Sequence, residues 1–147
     1  MRAQLKKFIE QMEDNSVAII PAAHEQTRSY DTEFKFRQDS DFWYLTGFPE
    51  PDAIAVITKD AKNAYTLYVR PRNLEMETWF GRRQGVEGAV KNYGTEKAFS
   101  IEKFAGDLGK ILDGSDKLYY RFAVDRALDQ QILQYFTDQR VRRLKTA

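Results

Sequence analysis

Leu5, Phe8, Ile9 and Met12 recur at i, i+3, i+4 and i+7, which predicts an amphipathic helix at the start of the chain. Asp14 and Asn15 end it, and Val17-Ala18-Ile19-Ile20 predicts a short strand closed by Pro21. Residues 22–37 show no periodicity and are expected to be irregular. Then Phe42, Trp43, Tyr44 and Leu45 stand in a row between charged or amide residues and Gly47. Four strong β-formers bounded this way predict a strand, and without a polar face it would be covered on both sides. Pro49 and Pro51 demand a turn before the apolar run at residues 53–57 resumes, so a hairpin at the centre of a sheet is expected.

Residues 64–69 predict a further strand, stopped by Arg70-Pro71. A glycine-punctuated section follows, with room for a short helix at residues 86–91 and a brief strand at Ala98-Phe99. Ser100 suits the N-cap of a helix whose apolar face is Ile101, Phe104, Ala105, Leu108 and Leu112, ended by Gly114. Gly106 and Gly109 weaken it by roughly 1 kcal/mol each relative to Ala, so it needs packing. Leu118-Tyr119-Tyr120 predicts a strand; Val124, Leu128, Ile132, Tyr135 and Phe136 predict a last helix with Asp125 in its first turn. Consecutive strands form a meander, so part of the sheet is antiparallel. The fold class expected is α/β: a single domain with a mixed sheet of about five to six strands and helices on both faces.

Composition narrows the function. A chain of 147 residues suits one domain, 1–147. A net charge of +1 recommends neither nucleic acid nor a membrane surface as partner. The absence of cysteine excludes disulfides and thiolate metal sites. No signal-like or membrane-spanning apolar run is found, and a cytoplasmic location is expected. Aromatics make up 14% of residues, a surplus that an interface would bury.

Candidate chemistry is sparse. His24 is the one histidine, read as a surface loop residue, and no H-E-x-x-H pairing or serine elbow occurs. Asp39 with Asp41, and Glu75 with Glu77, are spaced to share a strand face, but 22 acids make such spacings common. Asp41 is expected to accept backbone N–H groups where the chain enters its strand. No catalytic and no metal-ligating residue is assigned. Trp79-Phe80-Gly81-Arg82-Arg83 joins two rings and two guanidinium groups around a hinge, the composition of an interface anchor. Phe80, Arg82, Arg83, Arg37 and Asp41 are the interface candidates. Arg140, Arg142, Arg143 and Lys145 make a basic end to the last helix, taken as the approach to a linker.

Three blocks carry a resemblance: Thr27-Arg28-Ser29-Tyr30-Asp31-Thr32-Glu33, then Phe36-Arg37-Gln38-Asp39-Ser40-Asp41-Phe42-Trp43-Tyr44-Leu45-Thr46-Gly47-Phe48, then Glu77-Thr78-Trp79-Phe80-Gly81-Arg82-Arg83. Their order and spacing resemble the N-terminal domain of bacterial Xaa-Pro aminopeptidases (aminopeptidase P), and the likeness fades after about residue 100. The resemblance implies a creatinase/prolidase N-terminal fold without catalytic residues. It implies a separate C-terminal metallopeptidase domain, holding two divalent metal ions (manganese), that releases an N-terminal residue preceding proline. The chain alone is then expected to be inactive. Its expected role is oligomer assembly and walling the peptide channel, with the catalytic domain, neighbouring subunits of a homo-oligomer and a peptide with proline second as partners. Trp79 and Asp31 match motif positions facing that channel. The alternative is a stand-alone protein or peptide interaction module of the same fold, without peptidase activity.

Overall fold

Val17 to Ile20 are β-branched or small, and they build β1 (Ser16–Pro21), against which the sheet assembles on either side. The structure is a computed structural model that describes residues 1–25, 36–59, 62 and 64–146, without the side chains of Phe80 and Thr146. In chain order the helices are α1 (Ala3–Gln11), α2 (Ser40–Thr46), α3 (Glu77–Phe80), α4 (Gly85–Tyr93), α5 (Phe104–Asp113) and α6 (Arg126–Thr146). The other strands are β2 (Ile54–Thr58), β3 (Tyr65–Val69), β4 (Lys97–Ser100) and β5 (Lys117–Tyr119). The spatial order is β4-β3-β2-β1-β5. The central meander is antiparallel, from Val17 opposite Thr58 to Pro21 opposite Ile54, and from Ile54 opposite Tyr68 to Ile57 opposite Tyr65. Both edge strands join in parallel, β4 to β3 and β5 to β1.

The strands distribute their side chains with period two between two cores. Ala18, Ala55, Ile57, Leu67 and Val69 meet Leu5, Phe42, Leu45 and Ala89 on the face covered by α1, α2 and α4. Val17, Ile19, Ile54, Val56 and Tyr68 meet Phe104, Leu108, Leu112, Leu128 and Ile132 beneath α5 and α6. Each fully buried Leu, Ile or Phe contributes about 1.5–3 kcal/mol, so burial stabilises the packing on both faces of the sheet. This is the mixed α/β fold expected from the sequence, with five strands.

One expected strand is a helix. Residues 40–46 form α2 and make no hairpin with the following strand: β2 pairs with β1 and β3 instead. Asp39 explains the outcome. Its carboxylate accepts the Phe42 N–H at 3.1 Å and its carbonyl accepts the Trp43 N–H at 2.9 Å, an N-cap that starts a helical turn. Gly47, at φ +65°, ends the helix in the left-handed conformation and donates its N–H to the Trp43 carbonyl. Phe42, Leu45 and Thr46, at i, i+3 and i+4, are buried, while Trp43 and Tyr44 are 47% and 58% exposed. The run is therefore half-covered, not enclosed on both sides, and tertiary packing with good caps overrides β-propensity. Asp39, not Asp41, receives the backbone donor.

Smaller departures follow similar logic. Ser100 accepts the Glu102 N–H at 3.3 Å, but caps a 3-10 turn, Ile101–Lys103, that leads into α5. Asp125 precedes α6 and caps it, accepting the Leu128 N–H at 3.0 Å. No helix among the described residues is long and apolar enough to cross a membrane.

Candidate functional site

The most exposed large ring of the described residues projects from the segment between β3 and α4. Asn73 begins it: its carbonyl accepts the Met76 and Glu77 N–H groups at 3.1 Å, turning the chain into α3. Arg72 then clasps Glu77 through two parallel bonds, Nε to Oε1 at 2.8 Å and Nη2 to Oε2 at 3.1 Å, the geometry that makes guanidinium–carboxylate pairs directional. The Arg72 hydrogen bond holds the Glu77 carboxyl below its ordinary range, with desolvation opposing. Gly85 permits this route. At φ +66°, a Cβ there would lie 2.6 Å from the Arg72 Cγ. Arg83 donates to the Pro71 carbonyl at 3.3 Å, and Gln84 N–H donates to Glu50 at 2.7 Å. On this braced segment Trp79 is 80% exposed, beside Leu74 at 71% and Met76 at 41%.

The predicted site residues fall in two places. Trp79, Arg82 and Arg83 share the segment just described, with Arg82 exposed and Arg83 half-buried. Phe80 lies there too, but its side chain is outside the described set, and Asp31 lies outside the described residues altogether. Arg37 and Asp41 belong elsewhere, at the start of α2. Asp41 and Asp39 do not act as an isolated acid pair: Arg121 reaches both, at 2.6 Å and 3.3 Å. Beside them opens a cleft of about 450 Å3, lined by Phe8, Ile20, Tyr44, Leu45, Tyr119 and Val124. Glu75, in the same segment, and Glu77 are likewise not a working pair, since Glu77 is engaged by Arg72.

His24 is more than a surface loop residue. Its Nδ1 lies 2.5 Å from Asp52 and its Nε2 lies 2.9 Å from the buried Asp125. The Asp52 hydrogen bond is the main cause of an imidazole pKa above 6.5, with burial opposing. Sequence reasoning missed the cluster because its members are 28 and 101 residues apart. No local pattern announces such a contact. The two carboxylates sit on opposite ring nitrogens and do not converge on a common point. Among the described residues no group of three or more His, Asp or Glu side chains is arranged to hold a metal ion.

The sequence family described as "Aminopeptidase P, N-terminal domain" matches residues 1–120. The Xaa-Pro aminopeptidase of Escherichia coli (strain K12) is 44% identical over 115 residues, covering 77% of this chain and 26% of that protein. Its Haemophilus influenzae counterpart is 43% identical, covering 75% and 26%. The chain thus spans about a quarter of the length of these relatives. Among solved structures, Pseudomonas aeruginosa aminopeptidase PepP superposes with a TM-score of 0.86 at 37% identity, covering 97% of this chain and 32% of the other. The structure of Escherichia coli aminopeptidase P with the inhibitor Pro-Leu gives 0.80 at 37%, covering 88% and 30%.

Proposed function

The chain belongs to the aminopeptidase P N-terminal domain family, and on that premise we propose that it is the non-catalytic part of a Xaa-Pro aminopeptidase. In this reading the bond-breaking centre, with two manganese ions, is supplied by a C-terminal domain carried beyond these residues. This domain contributes contact surface for subunit assembly and one wall of the channel that admits peptides with proline in second place.

A single observation carries the reading: Trp79 stands 80% exposed on a segment whose backbone is pinned. An indole left in water on a rigid mount gains the most when a partner covers it, and Trp and Arg are the residues that dominate such contacts. Its flat face suits a pyrrolidine ring, which presents apolar surface and no N–H. Arg82 and Arg83 flank it as polar rim, and Asp31 is assigned to the same wall, where it would hold a basic group of the enzyme or peptide.

In the full-length enzyme, Trp79→Ala is expected to lower kcat/KM for Xaa-Pro peptides by about tenfold or more, roughly 1.4 kcal/mol of transition-state stabilisation. Far-ultraviolet circular dichroism should stay unchanged, because the ring is largely exposed. Undiminished catalytic efficiency would remove Trp79 from the wall.

A further inference from the structure

We propose that His24, Asp52 and Asp125 form a proton-dependent fastener, which holds the start of α6 against the loops flanking β1 and β2 while the imidazole carries both ring protons and releases it when one is lost. The inference rests on geometry and is independent of the channel reading.

Both ring nitrogens face carboxylate oxygens, Nδ1 with Asp52 Oδ1 at 2.5 Å and Nε2 with Asp125 Oδ2 at 2.9 Å. A neutral imidazole has one N–H, so one of these contacts would set a nitrogen lone pair against an anionic oxygen. The imidazolium donates to both. Asp125 is only 6% exposed, and its other oxygen already accepts the Leu128 N–H that caps α6. Loss of the Nε2 proton leaves this buried carboxylate half-satisfied, and loss of the Nδ1 proton frees Asp52, so either neutral tautomer opens one side of the fastener.

The opposite jaw is also fixed. Asp52 adopts φ +55° and donates its N–H to the Ala23 carbonyl at 3.0 Å, while Ala22 N–H donates to the Ala53 carbonyl at 2.8 Å. Two other charged groups near the ring have partners of their own. Glu25 pairs with Arg70 at 3.5 Å and Asp39 with Arg121 at 3.3 Å. Arg37 lines the same cleft as His24, Glu25 and Asp39. His24 itself is half-exposed, so water reaches the ring and exchanges the proton.

The folded-state pKa of His24 is raised above 6.5 by Asp52 and Asp125. Its stabilisation is then complete below pH 6.5 and is lost as pH rises through the folded value. Raising the pH opens the fastener.

The chain contains one histidine, so its ring signals can be followed by NMR without ambiguity. The expected midpoint lies above 6.5 and falls in Asp52→Asn. Once corrected for base catalysis, exchange of the Leu128 amide is expected to accelerate across that midpoint by about tenfold, the size of effect expected when a buried carboxylate loses a charged donor. In His24→Gln this step should vanish. Asp125→Asn provides a second check, but the Asp52 variant suffices if capping fails. A midpoint at or below 6.5, a midpoint unmoved in Asp52→Asn, or the same pH course of Leu128 exchange in His24→Gln would each overturn the proposal.

Discussion

Asp39 and Asp41 are separated by one residue and share the partner Arg121, yet they do different things. Asp39 is largely buried, caps α2 and accepts the Phe42 N–H. Asp41 points outward from the first turn, and its pair with Arg121 joins two exposed side chains. A cap is worth about 1 kcal/mol because it satisfies an orphaned backbone donor; an exposed ion pair is worth at most about 0.5–1 kcal/mol and is screened by salt. Urea unfolding should therefore show Asp39→Ala costing about 1–2 kcal/mol at any ionic strength. Asp41→Ala should cost less, with an effect that shrinks in added salt. Equal, salt-sensitive losses would contradict this division of labour.

Among the elements, α2 separates what the sequence discloses from what it conceals. The positions of α1, β1, β2, β3, α4, β4, α5, β5 and α6 were legible because each repeats a local period, 3.6 or 2, between Gly, Pro or Ser boundaries. Residues 40–46 have strand-forming side chains and helical ends, and these signals conflict. The decisive one is the pair Asp39 and Gly47, since it acts on backbone groups that must be satisfied. Gln38 reinforces it: the amide donates to the Phe48 and Glu50 carbonyls at 3.1 and 2.8 Å and accepts the Ala23 N–H at 2.9 Å. The exposed Trp79 was legible as a composition, and its brace by Arg72 was not, because pairing depends on how the turn closes. Helical phase makes its own prediction. Phe42→Ala, at a fully buried position, should cost about 3–5 kcal/mol, and Trp43→Ala less than about 1 kcal/mol. Comparable penalties at the two neighbours would argue for the discarded strand.

At the scale of the whole molecule, two groups of apolar side chains left in water stand out among the described residues, besides Trp43 and Tyr44 on α2. Leu74, Met76 and Trp79 form one; Leu133, Phe136, Val141 and Leu144 are exposed along α6. Surfaces of this kind favour association when nothing covers them. Light scattering across a concentration series should show the average mass of this chain rising above that of a monomer. The double substitution Trp79→Ser with Leu74→Ser should reduce the rise. A mass that stays monomeric at high concentration would mean the exposed rings are tolerated singly.

The parallel join between β1 and β5 has a consequence for how the protein is made. Ser16, Val17 and Ala18 wait for Lys117, Leu118 and Tyr119, which leave the ribosome long after the β1–β2–β3 meander is complete. Until then the outer rim of β1 offers bare amides and carbonyls to any passing strand, and distant pairings of this sort are slow to close. Nascent chains of this family member should be most in need of a chaperone during that interval, while the mature fold no longer presents the vulnerable rim.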